Sequence, residues 1–116
     1  MIDNYIGLRT LVLLKNAIGK VDITIFSDNL GKGLHRVEYE DFSHEYGTFK
    51  FVTAGGIIHD RYIVIDYEED TERIYHCGAS SKDGGNRVMT IEKVTDSSVY
   101  HPLLNKLRNN PPLKLN

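Results

Sequence analysis

The sequence has no tryptophan, one cysteine, three prolines and no long apolar run. Each scarcity excludes something. A single cysteine, Cys77, cannot form an internal disulfide, so a disulfide framework is ruled out and a reducing cytoplasm is the expected compartment. The best apolar run, Leu11 to Leu14, stops at Lys15, far short of the ~20 residues that span a bilayer, so no membrane partner is expected. The start carries Asp3 and no basic segment, unlike a secretory signal. Neither sign of charge dominates: 14 Lys and Arg face 16 Asp and Glu, a net −2 with histidines neutral. A strongly basic nucleic-acid binder would look different. An anionic ligand must therefore be held by a local cluster and not by the overall field.

The remainder of the composition is that of an ordinary globular protein. The 116 residues are 41% hydrophobic and 26% charged, enough to build one core in a single domain spanning 1–116. Along the chain, Ile2 to Ile6 is a short apolar start that reads as a strand end. Leu8, Leu11, Val12, Lys15 and Ile18 recur at three and four, predicting a helix that Gly19 stops. Val21, Ile23 and Ile25 alternate with polar residues as a half-buried strand ending at Phe26. Residues 27–33 are loop chemistry, residues 34–46 a second helix closed by Gly47, and Phe49, Phe51 and Thr53 another strand. Tyr62 to Ile65 is a continuous apolar run, which predicts a central strand covered on both faces. Residues 67–71 form a polar turn, Arg73 to Cys77 the partner strand, residues 78–85 a small-residue loop and residues 87–94 one more strand. Asp96, Ser97 or Ser98 caps a final helix from Val99 to about Leu107, with Pro102 in its first turn. This order predicts an α+β (mixed α/β) domain: a mixed sheet with helices packed on its faces. A chain that enters a strand at Met1-Ile2-Asp3 has no earlier element to cover it. It is therefore expected to be a truncated piece or the C-terminal module of a longer protein.

The chemistry concentrates in residues 57–85. His59, Arg61 and Asp66 stand as H-D-R-Y-I-V-I-D, followed by Gly78-Ala79-Ser80 at the far end of the next strand. On an extended strand His59 and Arg61 share a face, roughly 6.6 Å apart. A neutral imidazole can attack phosphorus, and a guanidinium can hold non-bridging oxygens. Asp66 has the opposite parity and suits fixing the hairpin or orienting a neighbour. Gly78 and Ser80 permit close approach of a phosphate, and amides after Ser80 can form an anion nest.

This spacing resembles the phospholipase D/nuclease superfamily, whose signature is His-x-Lys, four residues, Asp, then a Gly-Ser element. It is closest to a bacterial and phage subset with an HDRF-type strand and a GAS-K-D loop. The resemblance spans residues 2–94, with its specific part at 57–85, and implies that superfamily's fold lacking its first strand and helix. It implies a metal-independent phosphodiesterase, with His59 forming a phosphohistidine or acting as acid, Arg61 clamping phosphate, Ser80 donating and Asp66 orienting. Gly78, Ser80 and Lys82 join Arg61 in phosphate binding, and Glu92 stands about where family enzymes orient the histidine. The mechanism takes two histidines from two motif copies, and this chain has one, so a homodimer is implied. No metal or other cofactor is expected. Two positions depart from the family: Arg61 replaces lysine, and Lys82 stands where an asparagine is usual. Nucleic acid suits the chain better than lipid as substrate, since no amphipathic membrane helix is present. The alternative is a catalytically silent module that binds nucleic acid or a protein partner within a larger regulator.

Plainer roles compete at each position. Arg61 can pair with Asp60 or Asp3, and Asp66 can be a turn residue. Lys82, Arg87 and Lys93 can be a solvated face, and residues 68–70 an exposed hairpin tip. His35, His44 and His101 have no ligand spacing. The direction of His76 is open, and Cys77 reads as a small buried hydrophobe.

Overall fold

The computed structural model describes residues 1–57, 59–78 and 90–116. Helix α1 (Leu8–Leu14) runs into a 3₁₀ turn at Lys15–Ala17. Strand β1 (Thr24–Phe26), helix α2 (Arg36–Tyr46) and strand β2 (Lys50–Val52) follow, then β3 (Arg61–Ile65), β4 (Arg73–Cys77) and β5 (Ile91–Lys93). A 3₁₀ turn at Ser97–Tyr100 leads into α3 (His101–Arg108). The fold is α+β.

Strands β1 and β2 pair in parallel, whereas β3, β4 and β5 form an antiparallel set. Ile2 joins the two. It pairs in parallel with Phe26 and antiparallel with Tyr62, and its N–H and C=O engage Tyr62 at 2.8 and 3.0 Å. On its other side the Phe26 N–H donates to Met1 O at 2.8 Å and the Asp3 N–H to Phe26 O at 3.0 Å. Pro112 pairs antiparallel with Val52 on the outer side of β2.

Side-chain alternation sends the core to opposite faces of the two halves. Ile25 and Phe49 pack with Leu11 of α1 and Phe42 of α2. On the other face, Ile2 and Ile74 pack with Leu104 and Leu107 of α3, flanked by Tyr62, Val64 and Val94. Gly47 ends α2 at φ +117°, where a Cβ would stand 2.7 Å from Ile18 Cγ2; glycine is required there on both grounds.

Residues 62–65 are central in the sheet, but each is only half-buried. The expected cover on both faces is partial, because α3 supplies it on one face alone among the described residues. Strand β1 is shorter than the alternation from Val21 suggests. Val21 remains 61% exposed and makes only a local bridge to Ile18. Part of the predicted strand at 87–94 lies outside the described residues.

The β3–β4 turn latches α3. The Glu72 carboxylate accepts from Ser97 Oγ at 2.6 Å, from the Glu68 N–H at 2.8 Å and from His101 Nε2 at 2.8 Å. Tyr67 donates to Asn105 Oδ1 at 2.7 Å, and Arg108 pairs with Glu68 and lies over the Tyr67 ring. Asp96 caps the turn before α3 by accepting the Ser98 N–H.

Two predictions follow from this packing. Leu107 is fully buried, so Leu107→Ala should cost ~2–5 kcal/mol in chemical denaturation, whereas Val99→Ala, 70% exposed, should stay within about 0.5 kcal/mol. The Glu68 amide, then Ser97 and His101, hold the Glu72 carboxyl down at about 2, against an ordinary 4.5. A depressed carboxyl stabilises the fold fully above its ordinary value and loses that contribution as pH falls through the folded one. Melting temperature should therefore drop between about pH 4.5 and 2, and Glu72→Gln should flatten that part of the profile.

Candidate functional site

The strand directions bring one end of the sheet into focus. Ile2, β1 and β2 run one way, β3 runs against them, and β4 runs with them. The segments leaving Ile2, β1, β2 and β4 therefore emerge at the end where β3 begins. Asp3 and Asn4, Ser27 to Asn29, Thr53 to Gly56, His59 and Arg61, and Gly78 all gather there. Crevices at the carboxyl ends of parallel strands are a recurrent ligand site in open sheets.

Among the described residues, buried polar side chains mark the same end: Asp3, Asn4, Ser27 and Arg61 are each 5% exposed or less. Burial of polar groups is costly unless they are hydrogen-bonded, and the segments are indeed cross-linked. Asn4 Oδ1 accepts the Asp28 N–H at 3.0 Å and Asn4 O the Leu30 N–H at 2.7 Å. Ser27 Oγ accepts the Asn29 N–H at 2.9 Å. Asp28 in turn accepts the N–H groups of Ala54, Gly55 and Gly56.

The motif residues separate within this frame. Strand β3 begins at Arg61, so His59 lies ahead of the ladder and is exposed, while Arg61 is inside it and 5% exposed. The expected common strand face for the two does not extend to His59. Arg61 pairs in register with Cys77, which brings the Gly78 end of β4 to the His59 end of β3. Asp60 pairs with His76 at 3.0 Å.

Asp66 stands at the opposite end of β3, roughly 16 Å along the strand from Arg61. It adopts φ +53°, accepts from Thr71 Oγ1 at 2.7 Å and lies 3.5 Å from Arg73. These contacts fix the hairpin. Ser80 and Lys82 lie outside the described residues.

Glu92 is brought to His76. The two are register partners on β5 and β4. With Asp60, Tyr62, Lys93 and Tyr100 they line a shallow concavity of about 380 Å³. Tyr62 packs 5.1 Å from the His76 ring and 5.4 Å from Tyr100. Burial, then the hydrogen bond with Tyr100, pushes the Tyr62 phenol up to about 12.

Sequence reasoning missed Asp3, Asn4, Ser27, Asp28 and Asn29. The available signal was that D-N-Y and S-D-N each follow an apolar strand stretch. Among the described residues, no helix is long and apolar enough to cross a membrane.

Asp66→Asn tests the division between the two ends. Its partner contact is exposed, at 42% and 40% for the two side chains, so loss of charge should cost at most ~1 kcal/mol in urea unfolding. Ligand binding at the His59 end should stay unchanged. No protein-family model matches the chain, and no curated protein or solved structure is significantly similar to it.

Proposed function

We propose that the chain is a phospholipase D-like phosphodiesterase module that acts on nucleic acid in the cytoplasm, as a homodimer and without a metal. The observation that carries this reading is the Arg61–Cys77 register, which brings His59, Arg61 and Gly78 to one end of the sheet beside the buried polar residues. There the His59 imidazole attacks phosphorus as the leaving oxygen departs, forming a phosphohistidine that water then cleaves. His59 of a second copy protonates the leaving oxygen, so a two-fold axis near the start of β3 completes the site. Arg61 neutralises the non-bridging oxygens, and Ser80 and Lys82, with the Gly78 loop, add donors. Asp66 contributes by holding the hairpin, and Glu92 by bordering the neighbouring concavity.

The burial of Arg61 favours a second reading, in which the same end binds nucleic acid or a protein partner without cleaving it. A guanidinium 5% exposed meets ligand only where the surrounding loops open onto it.

Cleavage of a single-stranded oligonucleotide by the purified chain decides between them. Activity should persist in a chelator and fall roughly 10²- to 10⁴-fold in His59→Ala. Arg61→Ala should weaken oligonucleotide binding about ten- to a hundredfold, the effect of losing a charge-assisted hydrogen bond worth ~1.5–3 kcal/mol. Activity abolished by chelator, or equal in His59→Ala, contradicts the histidine mechanism. Binding without cleavage in the wild type selects the second reading.

A further inference from the structure

The turn after β2 already holds an anion. The N–H groups of Ala54 and Gly55 donate to Asp28 Oδ1 at 3.0 and 2.8 Å, and that of Gly56 to Oδ2 at 2.7 Å. Three successive amides converge because Gly55 and Gly56 take φ of +69° and +71°, a region that side chains other than glycine's rarely enter. Runs of amides in such turns make concave anion receptors. Asp28 reaches this receptor from the neighbouring turn after β1, with its own N–H held by Asn4. Gly55 and Gly56 are exposed, and Gly56 lies three residues before His59. The receptor thus opens to solvent at the end of the sheet where His59, Arg61 and Gly78 gather. A fixed carboxylate at that end repels a polyanion while it stays in place. It ceases to do so if it gives way to the ligand.

We propose that the Ala54–Gly56 turn is a phosphate subsite closed by Asp28 in the free protein, and that the phosphate of a phosphodiester displaces the carboxylate on binding. The subsite rests on the phosphodiester reading for its ligand class alone. Carboxylate and phosphate oxygens accept the same amide hydrogens, and both contacts are charge-assisted. Ligand affinity is then the difference between two anions competing for one receptor, and removing the resident anion strengthens binding.

The test is an amide-shift titration of ¹⁵N-labelled wild type, Asp28→Ala and Asp28→Asn. One arm uses inorganic phosphate, the other a phosphodiester-linked dinucleotide without terminal phosphate. In Asp28→Ala both should shift the Ala54, Gly55 and Gly56 amides saturably, at concentrations at least about tenfold below those needed in wild type, the scale of one charge-assisted hydrogen bond. Asp28→Asn keeps the size and a carbonyl acceptor, so it preserves the turn if alanine does not, and its affinity should be intermediate. Amides unmoved by either probe in a folded variant overturn the subsite. Equal affinity in wild type and variants overturns the blocking role of Asp28. Shifts with inorganic phosphate but none with the dinucleotide overturn the phosphodiester assignment. The shifts need no turnover, so a chain that shows them without cleaving oligonucleotides overturns only the catalytic reading.

Discussion

The pairing of Ile2 on both sides is the constraint on which the structure depends. Two strands in parallel and three in antiparallel array would otherwise be separate ribbons, and small sheets of that size are marginal alone. Ile2 gives hydrogen bonds to Tyr62 while its neighbours Met1 and Asp3 bond Phe26. It is also 2% exposed within the core under α3. The Met1–Asp3 segment therefore satisfies backbone groups of both halves, as burial demands, and fixes their relative direction. That direction decides which loops become neighbours.

The two ends of the sheet then divide the work. At the closed end of the β3–β4 hairpin, Asp66 and Glu72 spend their carboxylates on local partners and on seating α3. At the other end, polar side chains are buried and segments distant in sequence are tied together, Asn4 to Asp28 and Asp28 to Gly56. Asp28 holds the turn that leads towards His59, and Arg61 anchors the first position of β3 against Cys77. The concavity around His76 lies on the face that carries Tyr62 and Val94, with Asp60, which follows His59 directly, as its link to that end.

The elements with strong local signals were legible in the sequence. Arg73 to Cys77 forms a strand over the residues its pattern suggests, Gly47 ends α2, and Asp96 caps the approach to α3. The capping and turn chemistry of these residues acts within a few positions, so sequence carries it. What was not legible depends on pairing between distant segments. The alternation from Val21 overstated β1, because only its last residues find a partner in β2. Parity placed His59 with Arg61, but the ladder begins at Arg61 because that residue is the partner of Cys77. Asp3 and Asn4 read as a strand end and Asp28 as a loop residue, since only the parallel pairing of Ile2 with Phe26 sets their segments side by side. The direction of His76 followed from register alone: its partner is Glu92, and its ion pair is with Asp60.

The central claim is that ligand binds at the end of the sheet where β3 begins. The five histidines are natural reporters, because His35 and His44 accompany α2, His76 lines the concavity, His101 sits in the α3 latch and His59 alone stands at the claimed end. Side-chain resonances of histidine-labelled protein, followed through an oligonucleotide titration, test the claim directly. The account predicts that the His59 ring signals move first and furthest while those of His101, His35 and His44 stay in place. An unmoved His59 beside a shifting His76 would contradict it and transfer the site to the concavity.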